Sequence, residues 1–86
     1  MKIYFTMHAE NQLKERNISK EAVYKTILSP GQVIQQEEGI LLFQSVYYEG
    51  NKKYLLRVAA KLQVDTWLIL TAYRTSKVQK YWGEDL

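Results

Sequence analysis

The apolar residues of this chain change their spacing once, at Ser29-Pro30-Gly31, and no other feature constrains the fold as tightly. Before that point apolar positions recur every three or four residues, the period of a helix packed on one side. After it they alternate, the period of a strand with two unlike faces. Pro30 lacks the N–H that would continue a helix, and a glycine follows it. A chain of 86 residues has room for one thin core, so the two halves must pack on each other. The expectation is a single α+β domain over residues 1–86, with helices laid on one face of a sheet.

Local signals fill in this outline. Ile3 and Phe5 alternate with Lys2 and Tyr4, which predicts a short opening strand. Thr6 is placed to cap a helix over about 7–16, with Ala9 and Leu13 on its core side. His8, Gln12 and Arg16 form a second row at i, i+4, i+8, and Asn17 can close the helix in a left-handed conformation. Ser19 caps the next helix, whose apolar stripe is Val23, Tyr24, Ile27 and Leu28. Four strand-like runs follow at about 32–37, 40–48, 53–62 and 66–74, separated by segments short enough for hairpins. They predict a four-stranded antiparallel meander. In the third run Tyr54, Leu56, Val58, Ala60 and Leu62 oppose Leu55, Arg57, Ala59 and Lys61. In the fourth, Trp67, Ile69, Thr71 and Tyr73 oppose Leu68, Leu70, Ala72 and Arg74. Ser76 is the expected cap of a short C-terminal helical turn carrying Val78, Tyr81 and Trp82 and ended by Gly83.

Composition removes several classes of chemistry. With no cysteine, disulfide frameworks, thiolate metal sites and cysteine nucleophiles are excluded. A lone histidine, His8, argues against a histidine metal cage, so neither metal nor cofactor is expected. No glycine pattern cradles a phosphate or dinucleotide, because Gly31, Gly39, Gly50 and Gly83 fall at turns. Nothing puts Ser19, Ser29, Ser45 or Ser76 on a nucleophile elbow with His8. Glu37, Glu38 and Glu49 fall at turns and read as solvated. The apolar runs are far shorter than the roughly 20 residues of a membrane span. A cytoplasmic location with no membrane partner is expected.

What remains is basic and aromatic. The net charge is +3, yet residues 51–82 hold Lys52, Lys53, Arg57, Lys61, Arg74, Lys77 and Lys80 against Asp65 alone. Arg57 sits mid-strand between apolar neighbours, where it either faces solvent, pairs with a carboxylate such as Asp65, or lines a groove with Arg74. Tyr73-Arg74-Thr75-Ser76-Lys77 collects a phenol, a guanidinium, two hydroxyls and an ammonium at a strand end, groups suited to phosphate and base contacts. The plainer reading of that string is an exposed strand end with Tyr73 in the core. His8 at a helix start is either a structural hydrogen-bonding group or a proton-transfer group, and Arg16 suits the negative end of its helix.

Two strings carry a resemblance. Thr6-Met7-His8-Ala9-Glu10 with Leu13-Lys14-Glu15-Arg16-Asn17-Ile18-Ser19 and Glu21-Ala22-Val23, and the closing Leu70-Thr71-Ala72-Tyr73-Arg74-Thr75-Ser76-Lys77, resemble the two ends of a set of small bacterial and phage domains of unknown function. That set is similar to a distant branch of the RelE/BrnT-like toxins of type II toxin–antitoxin systems. The resemblance implies two N-terminal helices on an antiparallel sheet. It also implies a metal-independent mRNA endoribonuclease, an mRNA interferase acting on free or ribosome-bound RNA and neutralised by a cognate antitoxin protein. In such enzymes the RNA's own 2′-OH attacks the adjacent phosphodiester. By this resemblance Arg57 and Arg74 clamp the scissile phosphate, His8 or Tyr73 moves a proton, and Arg16, Lys53, Lys61, Lys77 and Lys80 hold RNA. The alternative is a non-catalytic module of the same shape that binds a protein partner or RNA. A third reading is a self-associating homodimer, since Tyr47, Tyr48, Trp67 and Trp82 exceed what a thin core needs.

Overall fold

The computed structural model describes residues 2–82. Both predicted caps form. Thr6 Oγ1 accepts the Ala9 N–H at 3.0 Å and Ser19 Oγ accepts the Ala22 N–H at 3.1 Å, starting α1 (Met7–Arg16) and α2 (Lys20–Leu28). Asn17 takes φ 54° and ψ 48°, and its N–H turns back to the carbonyls of Leu13 and Lys14 to end α1.

The strands are β1 (Lys2–Phe5), β2 (Gln32–Glu37), β3 (Ile40–Glu49), β4 (Lys52–Gln63) and β5 (Thr66–Thr75). β2 to β5 pair in succession and antiparallel, as the hairpin spacings predict. The sheet nevertheless has five strands and is mixed, in the order β1-β5-β4-β3-β2, because β1 adds parallel to β5 with Ile3 opposite Trp67. The expected four-stranded antiparallel sheet is corrected in this respect. Alternation in β1 announces a strand but carries no information about its neighbour. Since β1 and β2 are the two edges, the segment between them, α1 and α2 together, must cross the full width of the sheet, about 19 Å at four strand spacings. Both helices therefore lie on one face.

That face holds the core. Ala9 and Leu13 of α1, Ile18 of the link, and Val23 and Ile27 of α2 meet Phe43, Leu56, Val58, Ala60, Ile69 and Ala72 of the sheet. The α2 stripe is narrower than expected. Thr26 is buried beside Val23 and Ile27, its hydroxyl donating to the Ala22 carbonyl, while Tyr24 and Leu28 are exposed, Leu28 at 75%. Three positions at i, i+3 and i+4 suffice for a helix touching the sheet along one line.

One residue breaks the alternation of β5. Ala60 pairs with Ile69 but Ala59 pairs with Thr71, so Leu70 has no partner on β4. This bulge lets Ile69 and Ala72, three residues apart, both enter the helix-side core. The predicted faces of the fourth run hold up to Ile69 and invert beyond it.

The short helix α3 (Val78–Tyr81) covers part of the opposite face, where the Tyr81 carbonyl meets Gln44 and the Tyr81 ring lies against Arg57. Its N-cap is Lys77 without a side-chain bond, not the expected Ser76; Thr75 Oγ1 instead accepts the Lys77 N–H at 3.0 Å. The expected stop at Gly83 lies outside the described residues. Three of the aromatics expected at the surface are half-buried. Trp67 packs edge-on against Phe43, Tyr47 stacks on Tyr54, and Trp82 lies against Gly31. Tyr48 is exposed at 66%. No described helix is long and apolar enough to cross a membrane.

Candidate functional site

Four residues stand directly opposite one another across β2, β3, β4 and β5: Gln32, Gln44, Arg57 and Tyr73. Opposed residues in a ladder share a face, so this is a polar row on the face that α3 covers. Gln44 is fully buried and Gln32 nearly so, whereas Arg57 and Tyr73 are half-buried.

The row is bonded end to end. Gln44 Nε2 donates to Gln32 Oε1 at 2.7 Å and to the Tyr81 carbonyl at 3.1 Å. Gln44 Oε1 accepts the Arg57 Nε–H at 2.7 Å. Arg57 Nη1 donates to the Tyr73 hydroxyl. The guanidinium also stacks on the Tyr81 ring, 4.3 Å from its centroid, with the Tyr73 ring at 5.6 Å. Of the five N–H donors of an arginine, two are thereby engaged. Among the described residues no carboxylate pairs with Arg57; the ion pairs there are Lys20–Glu10 and Arg74–Glu49. A half-buried guanidinium with donors to spare and no carboxylate partner among the described residues is chemically able to take an anion.

The neighbourhood is basic. Along β4 the same face carries Lys53, Arg57 and Lys61, with both lysines exposed. Lys53 borders a hollow of about 420 Å³ shared with Val46, Val78 and Trp82. Lys77 and Lys80 on and beside α3 are exposed, and Lys80 Nζ lies 5.3 Å from the Tyr81 ring centroid.

Arg74 is not part of this site. It pairs with Leu56, whose side chain faces the helices, so it projects to the face opposite Arg57. The bulge is the cause. The register set by the β4–β5 turn pairs Gln63 with Thr66 and would bring Arg74 opposite Leu55, on the Arg57 face; the extra Leu70 moves it by one. The expected clamp of one phosphate by Arg57 and Arg74 is therefore not brought together. Arg74 instead donates to Glu49 at 3.0 Å and to the Tyr47 hydroxyl at 3.3 Å, over the Tyr54 ring. Those bonds, that to Tyr47 first, hold its guanidinium above the ordinary arginine range against the opposing effect of burial.

His8 and Arg16 are exposed on α1, on the helix side of the sheet, away from the Arg57 row. Gln12, between them, turns inward. Its Oε1 accepts from Thr71 Oγ1 at 2.6 Å and from the Ala72 N–H at 3.0 Å. A second hollow, of about 720 Å³, separates α2 from β3 and β4 on the helix side and is lined in part by Ser45, Tyr47 and Lys25. Among the described residues no cluster of three His, Cys, Asp or Glu is placed to hold a metal. Sequence reasoning missed Gln32 and Gln44. The available signal was a lone glutamine inside the apolar run Ile40-Leu41-Leu42-Phe43-Gln44-Ser45-Val46, in what the meander makes a central strand.

Residues 5–74 match a protein family described as a domain of unknown function, DUF4258. No curated protein and no solved structure matches the chain.

Proposed function

From the premise that this chain belongs to the DUF4258 domain family, whose description assigns no activity, we propose that it binds single-stranded RNA at Arg57 and Tyr73 and cuts it without a metal. In the cell it would act as a toxin restrained by a cognate antitoxin protein. The observation that carries this reading is the Arg57 guanidinium, half-buried, without a carboxylate partner among the described residues and joined to a phenol. A dianionic phosphorane is the species such a group stabilises best.

The roles follow from the bonds. The RNA 2′-oxygen attacks phosphorus, the P–O5′ bond breaks, and a 2′,3′-cyclic phosphate is left. Arg57 would bind the non-bridging oxygens with its idle donors. Tyr73 Oη accepts from Arg57, so its own O–H is free to point outward and give a proton to the departing 5′-oxygen. The 2′-OH proton would pass to solvent, which returns one to Tyr73. Lys53, Lys61, Lys77 and Lys80 would track the flanking phosphates. His8, Arg16 and Arg74 do not enter this site.

Incubating the purified protein with labelled RNA in EDTA tests the proposal. Cleavage leaving cyclic phosphate ends is expected, reduced about 10²–10³-fold in Arg57→Ala and about 10²–10⁴-fold in Tyr73→Phe. Induced expression should arrest growth, and co-expression of the adjacent open reading frame should relieve it. Intact RNA together with unchanged growth refutes the toxin reading. A second reading, a non-catalytic module binding RNA or a protein partner, is favoured by one observation. Among the described residues no His, Asp or Glu bonds to Arg57 or Tyr73, so a second proton-transfer group is missing. Binding without cleavage decides for it.

A further inference from the structure

Gln44 lies between Gln32 and Arg57 in the polar row, and its hydrogen bonds are met on both sides. It is buried with no exposure in the middle of β3, an interior strand of the sheet. A buried amide is costly unless its donors and acceptor are met, and among the described residues no buried side-chain polar atom lacks a partner. The Tyr81 carbonyl can only accept, which calls for the NH₂ end of Gln44, and Gln32 Oε1 accepts from the same nitrogen. The amide can therefore turn only one way, and its oxygen must face Arg57 Nε. An arginine side chain in a strand otherwise has several rotatable bonds and swings toward water.

We infer that Gln44 is the positioning residue of the Arg57 site: it holds the Nε–H against β3 and so fixes the plane in which the remaining Nη donors meet a phosphate of RNA. This rests on the proposed function. Gln44 touches no substrate and acts through Arg57. Because the same amide holds the Tyr81 carbonyl, it also sets the ring against which the guanidinium stacks. The polarity of the group matters as much as its shape. A carboxylate in its place would still accept from Nε but would cancel the charge meant for the ligand.

The test combines affinity with a direct view of Nε–H. Binding of a fluorescein-labelled oligouridylate is measured by anisotropy for Gln44→Leu and Gln44→Glu, each alone and with Arg57→Ala. Thermal melting confirms that each variant is folded. Gln44→Leu should lose about tenfold in affinity. Gln44→Glu should fall as far as Arg57→Ala and flatten the slope of log K against log salt by about 0.7, the loss of one phosphate contact. With Arg57→Ala present, neither variant should lower affinity further. Equal losses in both backgrounds overturn the inference, since Gln44 would then act on the fold alone. The second readout is the Arg57 Nε–H resonance in nitrogen-15 NMR. It should exchange slowly in the wild type and in Gln44→Glu, and quickly in Gln44→Leu. If the wild type binds no oligouridylate, the RNA reading fails. The Nε–H signal then still decides the positioning role, and slow exchange surviving Gln44→Leu overturns it.

Discussion

Gln12 does the work of a missing strand, and its removal has a calculable effect. β1 covers the outer edge of β5 only as far as Ile69. Just beyond, the N–H of Ala72, a residue with no solvent exposure, bonds to Gln12 Oε1 at 3.0 Å, and Thr71 Oγ1 shares that oxygen at 2.6 Å. Gln12→Ala removes the acceptor from both. An orphaned buried N–H costs about 1–3 kcal/mol. The half-buried Thr71 hydroxyl can turn to water and adds little, and the gain in helix propensity returns only a few tenths. The expected net loss is about 2 kcal/mol, or roughly 8–16 °C in Tm for a domain of this size. Gln12→Glu keeps the accepting oxygen and should preserve or raise stability. Urea unfolding measures the loss, and hydrogen exchange at the Ala72 amide locates it. A Gln12→Ala protein within about 0.5 kcal/mol of wild type, the limit for an ordinary surface change, with an equally protected Ala72 amide, would refute the reasoning.

Other perturbations probe other links. Val64, 96% exposed in the β4–β5 turn, takes φ 42°, a region costing an L-residue about 1–2 kcal/mol; Val64→Asn should raise the urea midpoint by about 0.5–1 kcal/mol of stability. A Cβ on Gly31 would lie 2.8 Å from Trp82 Cη2 and 3.3 Å from the Gln44 carbonyl oxygen. Gly31→Ala should therefore displace Trp82, seen as a red-shifted indole emission in a Trp67→Phe background, and unshifted emission counts against that packing. Leu56, fully buried under the helices, should cost about 2–5 kcal/mol on truncation to Ala by urea titration. The Glu10 carboxyl is held below its ordinary value by the hydrogen bond from Lys20 and then by its charge. Its contribution is present above the ordinary carboxylate value and lost as pH falls through the lowered one. Glu10→Gln should thus flatten the acid limb of the stability curve, below about pH 4.3, and also the alkaline limb, because the same carboxylate raises Lys20; the difference should vanish in 1 M salt.

The parts of this fold written locally are legible in the chain. A threonine or serine three residues before the N–H it accepts, an asparagine that tolerates φ 54°, and a proline after Leu28 bound the two helices within a few residues. The hairpin turns pair the four later strands for the same reason: turn chemistry acts over two to five residues. The candidate site is legible in half. Arg57 and Tyr73 stand out as polar groups in apolar strands, while Gln44 is marked only by standing alone in an apolar run and Gln32, at a strand start, by nothing local.

The chain order of period, caps and turns determines two helices, a meander and a basic second half. It does not decide which face the positive charge occupies. That follows from the bulge at Leu70, where Ile69 and Ala72 both enter the core and Gln12 takes the Ala72 N–H that the short β1 leaves uncovered. One unpaired residue moves Tyr73 onto the face of Arg57 and sends Arg74 to the other, where Glu49 and Tyr47 hold it. Strand side chains alternate with a period of two, so a displacement of one residue reverses every face beyond it. Such a displacement is chosen by packing between segments distant in the chain, and only the assembled sheet contains it.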